Sequence, residues 1–540
     1  MEKESNAHIQ QLSALLVDRD WRLKNLYLIL DEVAGTKPFI ARPEQLEFRR
    51  NRHTRNFVPK ARKLGISTEI VLENLDELIF TPNLRAGIVD LTEDDAFGKL
   101  QIARFAWQQG PNHPNPGIAQ IWRDLHEANP LVIDTKGEMT WSNGASFEAG
   151  TSFTGNTPQR LHWSEAGPLS AQYPDRAAKI KRGTLNSVPP DGIVDVETTM
   201  EGGRIGTAYN LFRLAKESAG TDLSPADWKL HFFSWLGHPS YKLPGREPTN
   251  ARIIKYFRDL KEKHGIAVPL ERQAWYEAKE REQSEDMLQQ FPTDISECDM
   301  AVVLGAIYPD LAIVRQQGRV REFNPEPHLP LFTFWDCGGD SLAGWLIQPG
   351  SKEINILNWA GGEGSGAAGL AQQARAWEAM HGPIAMHFVP HDADQHDKGS
   401  NKTFKTQMIE SGLLPHQIRV VPRIPDVWTG IGYVRQRIPR MWFHKRCDQE
   451  VEAAGEKLPG GFGRLENYRK AHNRSSGAFL PHPHKDGICD HSADALRTFA
   501  EADAQGLIPG QAPKFGETER DHWDDDRPKT RGKTVFGYAR

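Results

Sequence analysis

The 540-residue chain is poor in cysteine, in net charge and in long apolar runs. Each shortage closes off a class of protein. The four cysteines, Cys298, Cys337, Cys447 and Cys489, are scattered without CxxC spacing. That argues against a disulfide framework or a zinc site and suits a reducing cytosol. His391, His396, His482, His484 and His491 do not repair the zinc case, because they lack a tetrahedral set with cysteines. A formal net charge of -5 gives no global positive field. Any contact with nucleic acid must therefore use local basic patches. No apolar run is long enough to span a bilayer, and the charged opening residues show no secretory pattern. No membrane contact is expected.

What is present is an ordinary globular composition, 38% hydrophobic and 25% charged. The length suggests about two to four domains. Residues 1–37 read as an N-terminal helical segment, more a packing helix than a partner-docking site.

The chain is organised around residues 58–69, VPKARKLGISTE. These have the grammar of a strand, a phosphate-gripping turn and a helix. Gly65 allows close backbone approach, Ser67 offers a hydroxyl to magnesium, and the helix from Thr68 onward points its N-terminus at an anion. The usual loop is G-x-x-x-x-G-K-[ST]. Here Lys60 replaces the first glycine and Ile66 the usual lysine, so the cation must come from Lys60, Arg62 or Lys63. Gln45, upstream, is placed to read an adenine edge.

Downstream, residues 85–90 (RAGIVD) read as a buried strand and 140–153 as a hairpin turning at Asn143-Gly144. Residues 160–167 (RLHWSEAG) are a strand ending in Glu165, where a carboxylate polarises attacking water in P-loop ATPases. The acid that normally precedes it is Ser164. Residues 192–203 (GIVDVETTMEGG) end a further strand at Thr198 and Thr199, hydroxyls able to sense a γ-phosphate. This order favours an α/β sheet with its ligand at the carboxyl edge of the strands, over 38–300. The aromatic stretch 228–241 reads as packing, and 251–290 as a solvated helical pair.

A linker over 301–330 leads to a second α/β region, 331–505. Asp336 lies where the first strand of a ribonuclease-H-like sheet presents its metal-binding acid, with Asp340 able to assist. Asp392 ends another strand, and Asp494 lies on a helix that also carries Asp490 one turn earlier. Such acids hold two magnesium or manganese ions for phosphodiester cleavage. Residues 506–540 are charged, poor in apolar side chains and expected to be disordered.

Taken in order, KARKLGIST, LHWSEAG, VETTMEGG, FFSW, QQFPTDISE, WDCGGDSLAGW, VPHDAD and DHSADALRTFA resemble the large terminase subunit of tailed bacteriophages, over about residues 38–502. The resemblance implies a P-loop ATPase that translocates double-stranded DNA into the procapsid, and a ribonuclease-H-like nuclease that cuts concatemers. It places Lys60 or Arg62 on the ATP phosphates, Ser67 on magnesium and Glu165 as general base. Thr198 and Thr199 become coupling residues, and Asp336, Asp392 and Asp494 the nuclease ligands, with Asp490 an alternative. ATP and Mg2+ are the implied cofactors, Mn2+ substituting in the nuclease. The implied partners are DNA, a portal protein and a small terminase subunit, with a ring on the portal, monomers in solution and a host cytoplasmic location. Two departures stand out: Ser164 before the glutamate, and no arginine near Thr154, where relatives carry one acting in trans; Arg160 is the substitute at hand. The alternative is a helicase-like P-loop ATPase that binds nucleic acid without cutting it.

Overall fold

A computed structural model describes residues 15–31, 35–153, 157–283, 286–300, 303, 305–337, 341–363, 366–395, 402–453, 456–473 and 479–509. Asp340, Thr154 and His396, and residues 510–540 of the tail expected to be disordered from 506, lie outside them; Ile508, within that expected tail, is instead buried in a core. Among the described residues no helix is long and apolar enough to cross a membrane.

The first body is an eight-stranded sheet. Its strands are β1 (Arg55–Pro59), β2 (Arg85–Val89), β3 (Leu131–Thr135), β4 (Glu138–Trp141), β5 (Ser146–Gly150), β6 (Arg160–Ser164), β7 (Ile193–Thr198) and β8 (Lys229–Leu230). The order is β8-β1-β7-β6-β2-β5-β4-β3, and only the pairs β5·β4 and β4·β3 are antiparallel. The mainly parallel sheet is the one expected, with the β4–β5 hairpin turning through Gly144 at φ 81°. Val58, Ile88, Leu161, Trp163, Val194 and Val196 are fully buried, as befits parallel strands covered on both faces. α1 (Pro43–Asn51) precedes β1, α2 (Ile66–Phe80) follows it, α3 (Glu93–Gln109) follows β2 and α4 (Ala166–Gln172) follows β6.

Three local expectations need correction. Residues 28–31 are not helical: the helix Arg19–Asn25 stops, and Leu28–Asp31 pairs antiparallel with Gly35–Pro38. Tyr27 is pinned there by Trp122, edge-on at 5.7 Å, and by Asp76, which accepts its hydroxyl at 2.7 Å. The helix itself packs, because Arg22 donates to buried Asp76. The helices Ala251–His264 and Leu270–Gln283 are less solvated than their charge suggests. Ile253, Phe257, Leu260 and Tyr276 join Val58, Leu64, Ile66 and Trp235 in one core. Finally, much of 301–330 is not a linker. Ile307, Tyr308, Leu311 and Val314 sit in the second core, and Arg315 bridges Asp448 and Glu466 at 2.7 Å each.

The second body holds a seven-stranded mixed sheet: β9 (Val320–Arg321), β10 (Leu331–Cys337), β11 (Ser341–Pro349), β12 (Ile354–Glu363), β13 (Ile384–Val389), β14 (Ile418–Val420) and β15 (Met441–His444). The order is β9-β15-β12-β11-β10-β13-β14, with β10·β11 and β11·β12 antiparallel and the other pairs parallel. α5 (Cys489–Ala504) lies on this sheet, Phe499 meeting Phe334 edge-on at 5.0 Å. The Trp345 indole donates to the Ser492 carbonyl at 2.9 Å, which fixes the rotation of α5 over β11.

Candidate active sites

Strand register brings the first group of residues together. Val58 and Ser164 both stand opposite Glu197, and Pro59 stands opposite Thr198. The carboxyl ends of β1, β7 and β6 therefore meet at one edge, and the loop 60–65, the Thr198-Thr199 pair and Glu165 cap it. This is where an open α/β sheet takes a ligand.

The loop is held by its own backbone. The N–H groups of Lys60, Ala61 and Arg62 donate to the carbonyls of Thr198, Phe233 and Gln290, each at 3.0 Å. Lys63 and Gly65 take positive φ, 60° and 77°. α2 then begins at Ile66, slightly earlier than expected, and its first N–H groups have no partner within the helix. Ser67 and Thr68 lie in that first turn, a ready seat for an anion. Gln45 is buried against the loop. Its amide donates to the Gly65 carbonyl at 2.7 Å and accepts from the Arg42 N–H at 2.8 Å, so here it braces the loop. Arg62 donates to the Gln290 side chain. Lys60, of the three basic candidates, points into the sheet edge and is buried.

Lys60 Nζ lies 2.9 Å from Glu197 Oε2. The other Glu197 oxygen accepts from Ser67 Oγ at 2.8 Å and Ser164 Oγ at 2.6 Å, with His162 Nε2 at 3.3 Å. Burial works against ionising Glu197, but Lys60 and then His162 hold its carboxyl well below the usual range. Lys60 stays charged for the matching reason: burial opposes the ammonium, and Glu197 and Glu165 outweigh it. Glu165 sits at φ 51°, ψ 45°, a left-handed conformation that a non-glycine residue rarely holds without cause. Burial raises its carboxyl, with Lys60 opposing and Glu197 adding, and its Oε2 has no hydrogen-bond partner among the described residues. Thr198 ties the parts together. Its carbonyl takes the Lys60 N–H, while its hydroxyl takes the Gly167 N–H at 2.7 Å and donates to the Thr199 carbonyl. Buried Thr199 Oγ1 has no partner among the described residues. Arg160 does not reach this edge: it begins β6 and pairs with Glu77 on α2, at the opposite end of the strand.

The second group gathers at the carboxyl end of β10. Asp336 Oδ2 meets His491 Nδ1 at 2.7 Å, and that hydrogen bond raises the imidazole above its ordinary value. Burial pushes Asp494 up to about 6, with Arg497, 2.7 Å away, opposing and Asp336 adding. Asp490 is buried and raised by that burial, and its Oδ1 has no partner among the described residues. Asp392 lies on an exposed turn after β13, the parallel neighbour of β10. Burial first, then Asp336 and Asp392, push up the Cys337 thiol. Among the described residues no three His, Cys, Asp or Glu converge as a preformed metal group.

No family model and no curated protein matches the sequence. Among solved structures, the chain is similar to the HK97 bacteriophage large terminase at 12% identity, covering 83% of this chain and 97% of that one, with a TM-score of 0.41. The large terminase of a thermophilic bacteriophage, in complex with ATP-gamma-S, matches at 13% identity over 85% of this chain and 98% of that one, TM-score 0.27. The P22 large terminase nuclease domain matches at 16% identity over 35% of this chain and 89% of that one, TM-score 0.25. Two are large terminases and the third is a domain of one.

Sequence reasoning assigns no role at these sites to two residues that the geometry puts there, Glu197 and His491, the latter weighed only for zinc. A signal existed for Glu197. Two acids alternate with valines in β7 (VDVE), and a buried carboxylate in a central strand needs a cationic partner. Asp195 finds Arg52, and Glu197 finds Lys60. His491 carried no such signal beyond standing beside Asp490.

Proposed function

We propose that the chain is a large terminase: an ATPase that drives double-stranded DNA into a procapsid, joined to a metal-dependent nuclease that cuts concatemers. The observation that carries the ATPase half is the convergence of Lys60, Ser67, Glu165 and Thr198 on one sheet edge beside the first turn of α2. Bound there, ATP would set its phosphates against the open N–H groups of α2 and the ammonium of Lys60. Glu165, raised by burial and with one oxygen unengaged among the described residues, is the group to take a proton from attacking water. Thr198 touches both the phosphate loop and α4, so it is the route by which loss of the γ-phosphate reaches the rest of the body.

The cations fit on donor chemistry. Ser67 offers a hydroxyl at the ATPase edge, and the nuclease end offers Asp336, Asp494 and the buried Oδ1 of Asp490, which has no partner among the described residues, with Asp392 on the adjoining turn. These are hard oxygen donors that suit Mg2+ or Mn2+. When bound, such ions neutralise phosphate charge and make water a better nucleophile. His491 orients Asp336 through its hydrogen bond. Backbone contacts carry no sequence information, so cutting is expected to be sequence-tolerant. The proposed partners are a portal ring and a small terminase subunit in the host cytoplasm.

The test is ATP hydrolysis and plasmid cleavage by the full chain in Mg2+, Mn2+ and EDTA, with Glu165→Gln and Asp336→Asn alongside. Glu165→Gln should lose hydrolysis and keep cutting; Asp336→Asn should do the reverse. Full hydrolysis by Glu165→Gln would remove it as the base. A chain that hydrolyses ATP but never cuts would move the reading to a helicase-like ATPase.

A further inference from the structure

We infer that Glu197, one strand over from Glu165, is the carboxylate that holds the divalent cation of the ATPase, in the place that Ser164 leaves without an acid. The inference rests on the ATPase reading above. A P-loop serine hydroxyl binds the cation together with an acid from a neighbouring strand. The residue at the expected strand position, Ser164, has no charge to offer. Its Cα partner across the parallel pair is Glu197. Neighbouring strands lie about 4.8 Å apart, and the glutamate side chain spans that gap. Its Oε1 accepts the Ser164 hydroxyl at 2.6 Å, so the carboxylate lies at the tip of the side chain that should have carried one. The same oxygen accepts the Ser67 hydroxyl at 2.8 Å. Acid and loop hydroxyl are thus already in contact across 130 residues of sequence. The remaining oxygen, Oε2, already faces a cation: the Lys60 ammonium at 2.9 Å. Glu197 is fully buried, and beside it Glu165 keeps a buried Oε2 without a hydrogen-bond partner among the described residues. Lys60 therefore stands where the metal's charge would act, and nucleotide phosphates give that ammonium another place to go.

The test is the affinity of the full chain for a fluorescent ATP-γ-S analogue, in Mg2+ and in EDTA. The nuclease acids are left intact in every arm. The native chain should bind at least about ten-fold tighter with Mg2+. Glu197→Gln should reduce that ratio to under about two-fold, whatever the release of Lys60 does to the affinity in EDTA. Glu197→Asp keeps the charge and the fold but draws the carboxylate back, and should give an intermediate ratio. Circular dichroism checks folding, and if Glu197→Gln does not fold, Glu197→Asp decides. A native ratio retained in whichever variant decides overturns the proposal. So does a native chain that binds equally with and without Mg2+, which leaves the ATPase reading standing. A native chain that binds no nucleotide at all removes the ATPase reading and the proposal with it.

Discussion

The hydroxyl of Thr198 takes the backbone N–H of Gly167 at 2.7 Å, joining the end of β7 to the helix that follows Glu165. The contact is close because residue 167 is glycine: a Cβ there would stand 2.3 Å from the Thr199 carbonyl. Thr198→Val keeps the shape and removes the acceptor. It strands a buried N–H, at a cost of about 1–3 kcal/mol. Thermal melts should show that loss. ATP turnover should fall while nucleotide affinity stays near native, and unchanged turnover would take Thr198 out of the coupling path.

Gly65 should tolerate nothing larger. Its φ is 77°, and a Cβ would lie 2.8 Å from Gln45 Nε2. Gly65→Ala costs roughly 1–2 kcal/mol of left-handed strain and pushes Gln45 off the loop. Equilibrium titration with ATP should show weaker binding. Gln45→Ala should weaken it in the same direction, because the brace is then missing from the other side.

The buried carboxylate of Asp76 accepts from Arg22 Nε at 2.9 Å, from Arg22 Nη2 at 2.6 Å and from the Tyr27 hydroxyl at 2.7 Å. Asp76→Asn leaves the Arg22 charge buried without its counter-charge, and removing one partner of such a pair costs about 3–5 kcal/mol. Urea unfolding followed by ATP binding should shift accordingly, while plasmid cleavage, proposed for the second body, should not.

Acid should loosen the second body through His387. Thr333 Oγ1 accepts the Trp335 indole N–H at 2.7 Å and meets His387 Nδ1 at 2.8 Å, so its own proton is available to a bare, neutral ring. Burial lowers that imidazole from its ordinary 6.5 to about 4. The folded pKa lies below the unfolded one, so the contribution is whole above pH 6.5 and is lost as pH falls towards 4. Its full size is roughly 3 kcal/mol. His387→Asn keeps an acceptor for Thr333 and cannot titrate. Its stability, from denaturant melts at about pH 7 and about pH 4.5, should fall less with acid than the native chain's.

Much of each candidate site is legible in the sequence because it is written in contiguous residues. A strand, a turn with Gly65 and a helix with Ser67 in its first turn are local patterns, as are strands ending at Glu165, Thr198 and Asp336. Short continuous apolar runs and turn chemistry decide such features. The misreadings were also local in origin. The run 26–30 (LYLIL) fits a buried helix or a strand equally well, and only the pairing of Leu28–Asp31 with Gly35–Pro38 chose the strand. The same holds for 307–321, whose apolar residues found a core that composition could not reveal.

What the sequence determined alone is thus the order of elements and the acids and hydroxyls that end them. Tertiary structure decided who meets whom. Ser67 and Glu197 touch across 130 residues, and Asp336 and His491 across 155. Lys60, not Arg62, turned into the sheet edge because Arg62 is held by Gln290 on another segment. Arg160 went to Glu77 because β6 runs parallel to its neighbours, which puts its first residue at the far edge. Strand order and register fix these meetings, and both are set by the packing of the whole sheet rather than by any stretch within it.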